Sequence, residues 1–205
     1  MTINHHAGDA TLMSFAAGAL PEAFSAVVAA HVAICNRCRK EVAALETLGG
    51  IMLADVSPAA LSNRVPMMAE PKARSTGSGY SSPLARLIGG DLASVRWRRL
   101  GYGMWHVPLQ LSPGSKGDLR LIKIAPGQVM PEHGHGGSEL SLILEGSYTD
   151  AMGRFGVGDL ADLDEEVEHK PAADRKSGCV CLIAVEQKAR LKGLFARMVQ
   201  PFVGI

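Results

Sequence analysis

Four cysteines and seven histidines make up the soft-ligand inventory of this 205-residue chain, and most of them fall into two clusters. The front cluster is His31-x3-Cys35-x2-Cys38, in HVAICNRC. On a helix His31 and Cys35 lie one turn apart on one face, and Cys38 follows across the turn that opens the next helix. Three such donors meeting at a helix–helix corner suit zinc, which takes cysteine and histidine tetrahedrally and wants a fourth ligand. The other histidines of this half are His5 and His6, in a tail short enough to fold back over the corner. Spacing does not choose between them. Two other readings compete: buried cysteines beside a satisfied histidine, and a thioredoxin-like redox pair. The second needs a preceding strand in a βαβ unit, and none is visible.

The back cluster is more specific. Gly127-x5-His133-x-His135-x3-Glu139-x6-Gly146 spells GQVMPEHGHGGSELSLILEG. Two histidines at i, i+2 on extended chain share one face of a sheet, the glycines permit turns around them, and Glu139 re-enters a few residues later. His169, in DEEVEHKP, is the expected fourth donor from another strand. Three histidines and one carboxylate accommodate zinc, iron, manganese or nickel. Cys179 and Cys181, in CVCLIAV, share a strand face and read as small buried hydrophobes, with a redox or accessory ligand role as the alternative. His106, in MWHVP, reads as a surface or core histidine rather than a ligand.

Positioning these groups requires two kinds of scaffold. Residues 10–68 are rich in alanine, leucine and valine at helical spacing. The pattern predicts a short helix capped by Asp9 and ending near Gly18, then a second opened by Pro21 and Glu22 and running through Phe24, Val27, Val28 and His31. A third is expected from about Cys38, with Val42, Leu45 and Leu48 on one face, stopped by Gly49-Gly50; a fourth is expected from Ser57-Pro58. A bundle this small often needs a metal or a partner. Residues 69–83, AEPKARSTGSGYSSP, have little to bury and read as a linker. Beyond them WRRLGYGMWHVPLQL, DLRLIKIAPG, ELSLILEGSY, GRFGVGDLADLD and GCVCLIAVEQ are short apolar or alternating runs between turn residues, the rhythm of an all-β sandwich or jelly-roll barrel.

Composition excludes some functions. At 47% hydrophobic and 20% charged the chain builds ordinary cores, and its net charge of +1 supplies no field for nucleic acid or membrane. The first 68 residues carry four basic against five acidic side chains, poor for neutralising phosphates. No apolar run is long enough to span a bilayer, and MTINHHAGDA lacks the basic and apolar regions of a secretory signal, so a cytoplasmic location is expected.

The glycine–HxH–E–G string resembles the first motif of the cupin family, and His169 stands where the second cupin motif places its histidine. The front half, with MTINHH, LPEAFS and HVAICNRC, resembles a zinc-binding anti-sigma domain. Joined by a short linker and ending in a CVC strand and an MVQPFVGI tail, the whole chain is similar to the ChrR family of anti-sigma factors. That resemblance implies a multidomain α plus all-β protein: a zinc-bound helical anti-sigma domain over residues 1–68, a linker over 69–83, and a cupin-like double-stranded β-helix over 84–205. It implies a front zinc held by His6, His31, Cys35 and Cys38, choosing His6 over His5, and a back zinc held by His133, His135, Glu139 and His169. It further implies that the helical domain sequesters an extracytoplasmic function (group IV) sigma factor. Release would come in a response to singlet oxygen or organic peroxides that needs the cupin-like domain, with a small molecule or oxidant as its signal. The competing expectation is a metal-dependent cupin enzyme, a dioxygenase or isomerase, because catalytic members share the same ligand set.

Overall fold

Helix α2 (Glu22–Ile34) organises the front half of the computed structural model, which describes residues 2–57, 83–134, 136–187 and 190–191. Pro21 precedes its first turn and Glu22 lies in that turn, where a carboxylate favours the positive end of the helix dipole. Ala23, Phe24, Val27, Val28, Ala30 and His31 are all buried, because α2 is covered on several sides. It packs against α1 (Asp9–Ala16), α3 (Asn36–Ala54) and α4 (Pro83–Ile88), and also against the β half. Cys35 alone separates α2 from α3, in an extended conformation that turns the chain (φ −99°, ψ 108°). Arg39 closes the corner by donating from Nε to the Val32 carbonyl at 3.1 Å and from Nη2 to that of Ala33 at 2.7 Å.

Three local expectations are corrected. Gly8, not Asp9, holds the N-cap position of α1, and Asp9 lies in the first turn. Gly49-Gly50 does not stop the third helix, which continues to Ala54. Neither glycine adopts the positive φ of a helix stop, and a glycine within a helix costs only about 1 kcal/mol. Of the face expected to be buried, Val42 is buried and Leu45 packs at the core edge, but Leu48 is exposed, because α3 outruns the core. The helix expected from Ser57-Pro58 and nearly all of the expected linker lie outside the described residues, and Pro83 already opens α4.

After a 3-10 turn at Leu92–Ser94 the regular elements among the described residues are all β: β1 (Arg98–Gly101), β2 (Met104–Pro108), β3 (Asp118–Ile124), β4 (His133–Gly134), β5 (Glu139–Asp150), β6 (Gly153–Gly156), β7 (Leu160–Leu163), β8 (Glu168–His169), β9 (Ala172–Ala173), β10 (Cys179–Val185) and β11 (Arg190–Leu191). The pairings are antiparallel. The large sheet runs β1-β2-β3-β10-β5-β6, with β7 and β9 also on β5, and the small one runs β11-β4-β8. Gly146 marks where β5 passes from β10 and β7 to β6 and β9. Its φ is +68°, and a Cβ there would collide with the Gly178 carbonyl oxygen, which is why the motif ends in glycine.

Side-chain alternation explains why these strands read as nearly continuous apolar runs: both faces of the large sheet are covered. Leu119, Leu121, Leu140, Leu142, Leu160 and Leu182 share one core with the buried residues of α1, α2 and α3. Ile122, Ile124, Ile143, Leu163, Cys179 and Cys181 point the other way, into the interior of the β half. Helices and sheet therefore share a core. Glu22 adds a polar clasp, accepting from the Ser112 N–H at 3.0 Å and from the Ser112 and Ser115 hydroxyls. No helix among the described residues is long and apolar enough to cross a membrane.

Leu182 has no exposure and sits in that shared core. Leu182→Ala is expected to destabilise by about 3 kcal/mol, within the usual range for a buried leucine. In urea the helical circular dichroism and the fluorescence of Trp97 and Trp105 should fall together at one lowered midpoint; two separate transitions would contradict a common core.

Candidate metal centres

His31 occupies the last turn of α2, Cys35 the break, and Cys38 the first turn of α3, while the N-terminal segment returns to bring His6 beside them. One donor atom from each lies within 4.8 Å of the other three; among the described residues no other group of three or more potential ligands meets that spacing. His6 Nδ1 is 3.3 Å from Cys35 Sγ and 3.6 Å from Cys38 Sγ, and His31 Nε2 is 3.3 Å from Cys38 Sγ. A tetrahedron with metal–sulfur bonds near 2.3 Å and metal–nitrogen bonds near 2.1 Å has S···N edges of about 3.6 Å. The quartet therefore fits a zinc-sized ion.

The protonation pattern fits as well. His31 Nδ1 lies 3.0 Å from the Gly158 carbonyl, which only accepts, so Nδ1 carries the proton and Nε2 turns its lone pair toward the thiols. Burial lowers the His31 pKa, and burial followed by the Arg37 charge lowers that of His6, which favours neutral, ligating rings. Burial, then the neighbouring Cys35 thiol, pushes Cys38 up to about 11. A cation entering here must displace thiol protons. His5 is directed elsewhere. Its ring stacks on Phe155 with centroids 4.1 Å apart, and its Nδ1 is 3.2 Å from Asp159 Oδ2. Geometry thus separates the two histidines that spacing leaves equal.

In the β half, strand register brings two of the expected donors together. β4 pairs with β8 so that His133 stands directly opposite His169, with Nε2 atoms 3.1 Å apart. His133 Nδ1 lies 2.9 Å from the Pro131 carbonyl, and His169 Nδ1 lies 3.1 Å from the buried Asp150 carboxylate. Both acceptors hold the proton on Nδ1, so both Nε2 lone pairs face one space, an arrangement that a cation relieves. Glu139 is buried on the interior face of β5, and its Oε1 accepts from the Ser141 hydroxyl at 2.9 Å. Among the described residues it does not join the two histidines in a close group of three donors. His135 lies outside the described residues.

Cys179 and Cys181 are buried free thiols in the interior core. The hydrogen bond that the Cys181 thiol donates to Cys179, then burial, raises the Cys181 pKa well above its ordinary value. Deep burial and a raised pKa both disfavour a reactive thiolate. His106 is half-buried beside Arg120, with 3.4 Å between Nδ1 and Nη1. Asp150, which orients His169, Gly158, which accepts from His31, and Asp159, which holds Asn4 and His5, are not marked by any motif. All three act across long sequence separations, and local patterns do not report such contacts.

A family profile described as the ChrR cupin-like domain matches residues 86–189. The anti-sigma-E factor ChrR of Cereibacter sphaeroides is 40% identical over 215 aligned positions that cover all of both chains. A crystal structure of Rhodobacter sphaeroides SigE in complex with the anti-sigma ChrR contains a similar chain, 39% identical. It aligns with a TM-score of 0.75 over 90% of this chain and 100% of that one. With a helical front that carries a His2Cys2 corner, a cupin-like β half behind it, and this likeness over the full length, the chain belongs to the ChrR family of anti-sigma factors, regulatory proteins rather than enzymes.

Proposed function

We propose that this protein holds an extracytoplasmic function sigma factor inactive through its helical half and releases it in an oxidative-stress response, to singlet oxygen or organic peroxides, that requires the cupin-like half. The observation that carries this reading is the free end of α3. Leu48, Ile51 and Met52 fall at i, i+3 and i+4, joined by Leu53 and Val56, and all five are between 55% and 71% exposed. An apolar stripe of this kind on a helix that outruns its own core suits a partner's groove. A family relative has been crystallised in complex with a sigma factor, which identifies the class of partner. Covering the sigma surface that RNA polymerase needs is inhibition by occlusion, and a cytoplasmic location is part of the same proposal. Direct nucleic-acid binding is not part of the proposal, since the first 68 residues are slightly acidic.

His6, His31, Cys35 and Cys38 would hold one zinc ion, and His133, His135, Glu139 and His169 a second metal. Zinc suits the back set, and iron, manganese or nickel would also be accepted. In the front site zinc would supply four bonds that fix the α2–α3 corner and the N-terminal segment. The chain's own residues do the rest: Arg39 ties the two helices, Gly158 fixes the His31 tautomer, and the buried face of α3 aims its exposed end outward. Cys35 and Cys38 are only 2% and 1% exposed, which shields the front thiols from a diffusing oxidant. The signal is therefore read first in the β half, where the paired histidines and Glu139 lie.

Purified protein should contain two metal ions per chain, and Cys35→Ser should remove one; full metal content in that variant would contradict the front assignment. Because thiol protons are displaced, front-site affinity measured by chelator competition should rise steadily from about pH 6 to 8. A flat profile would contradict displacement. Ile51→Asp with Met52→Asp should leave unfolding within about 0.5 kcal/mol of wild type, as exposed substitutions usually do. The same double variant should weaken sigma binding about 100-fold or more, since truncated interface anchors commonly cost 2 kcal/mol or more each. Unchanged affinity by calorimetry would contradict the assigned surface. His133→Ala and Glu139→Ala should bind sigma normally yet block induction of a sigma-dependent reporter by singlet oxygen; normal induction would contradict the role given to the β half.

A further inference from the structure

Asp159 belongs to neither proposed ligand set, yet it is 2% exposed and saturated with donors. Its Oδ1 accepts from the backbone N–H groups of Asn4 at 2.7 Å and His5 at 3.1 Å. Its Oδ2 accepts from the Gly156 N–H at 2.8 Å and faces His5 Nδ1 at 3.2 Å. Three of these four contacts come from the N-terminal segment that carries His6. The neighbouring positions extend the tie: Leu160 donates its N–H to the His5 carbonyl at 3.2 Å, and Asp162 accepts the Gly8 N–H at 2.9 Å. Residues on both sides of His6 are thus fastened to β7 and the turn before it. From the same turn Gly158 presents the carbonyl that accepts from His31. Both histidines of the front quartet are therefore set by one short stretch of the β half, residues 158–162. At its other end β7 pairs with the start of β5, with Leu163 opposite Glu139. One four-residue strand links the Asp159 turn to the register of a proposed back ligand.

We propose that Asp159 is a positioning residue for the front metal site, latching the His6-bearing segment to β7 so that metal affinity at the helical corner depends on the β half. The proposal rests on reading the quartet as a metal site. With the latch intact, His6 is held where Nδ1 meets both sulfurs. Without it the N-terminal segment retains the ties at Leu160 and Asp162 and the stacking of His5 on Phe155, and the site loses its fourth donor for part of the time. Linkage makes the effect reciprocal: an ion in the quartet also holds β7 against the N-terminal segment. A displacement of β7 that begins at Glu139 reaches the front ligands by this route.

The test uses the full chain with Co²⁺ as the probe, because thiolate-to-cobalt charge-transfer bands report the front site and not a nitrogen–oxygen site. Asp159→Asn keeps one oxygen for the Asn4 and His5 N–H groups but turns a donor toward Gly156 and His5. It should weaken front-site affinity about 10- to 100-fold, the range usual for groups that orient metal ligands. Asp159→Ala should weaken it further, and both should alter the tetrahedral cobalt spectrum while circular dichroism stays native. Asp164→Asn, which removes the charge from a carboxylate that only accepts the Glu166 N–H in a turn, should match wild type. Wild-type affinity and spectrum in both Asp159 variants would overturn the proposal. Cys35→Ser should abolish the charge-transfer bands; if it keeps them, the metal reading itself falls, and the proposal with it. Should the Asp159 variants not fold, hydrogen exchange on Cys35→Ser and wild type decides. The Leu160 and Gly8 amides should lose protection with the front ion, and unchanged protection would overturn the latch.

Discussion

The fully buried imidazole of His31 is the constraint on which the rest of the architecture depends. One nitrogen faces Cys38 across the helix corner and the other donates to the Gly158 carbonyl in the turn before β7, so a single ring is committed to both halves of the molecule. A buried histidine is stable only when both nitrogens are satisfied. Satisfying both requires that α2 lie flat on the large sheet and that the N-terminal segment return to complete the thiol corner. The shared leucine and valine core supplies the first condition, and the Asp159 contacts supply the second.

This arrangement changes what the helical unit is. Three short helices of this size enclose little apolar volume, and a metal is the usual remedy. Here the sheet is a second remedy, because α2 buries one side against β3, β5 and β10. The corner and the sheet together anchor the first half of α3 and leave its second half projecting, with exposed apolar side chains that no other described element covers. A release mechanism that starts in the β half then has a short path to the helices. The path runs directly between the two halves, which are in van der Waals and hydrogen-bond contact.

Much of this was legible in the sequence. The i, i+4 spacing of His31 and Cys35 and the glycine at 146 each report a local geometric need, and each stands where that need predicts. The strands around Leu121, Leu142 and Leu182 were legible as apolar runs, although two-sided burial hid which residues face the helices. Other features had no local signature. β4 and β8 are two residues long, and only their register sets His133 against His169. Asp150 and Asp159 are ordinary turn aspartates until the chain folds and brings them to histidines 19 and 154 positions away. The continuation of α3 through Gly49-Gly50 was misread because glycine weakens a helix without ending it unless the backbone turns left-handed.

The central claim is that the projecting end of α3 is the surface that meets the sigma factor. Amide hydrogen exchange, read residue by residue on the free chain and on its complex with the cognate sigma factor, tests it most directly. The account predicts marked new protection over residues 45–56, the end of α3 and the turn after it, in the complex and little change in β1 and β2. An α3 end that exchanges equally fast in both states, with protection appearing instead on the β half, would contradict it.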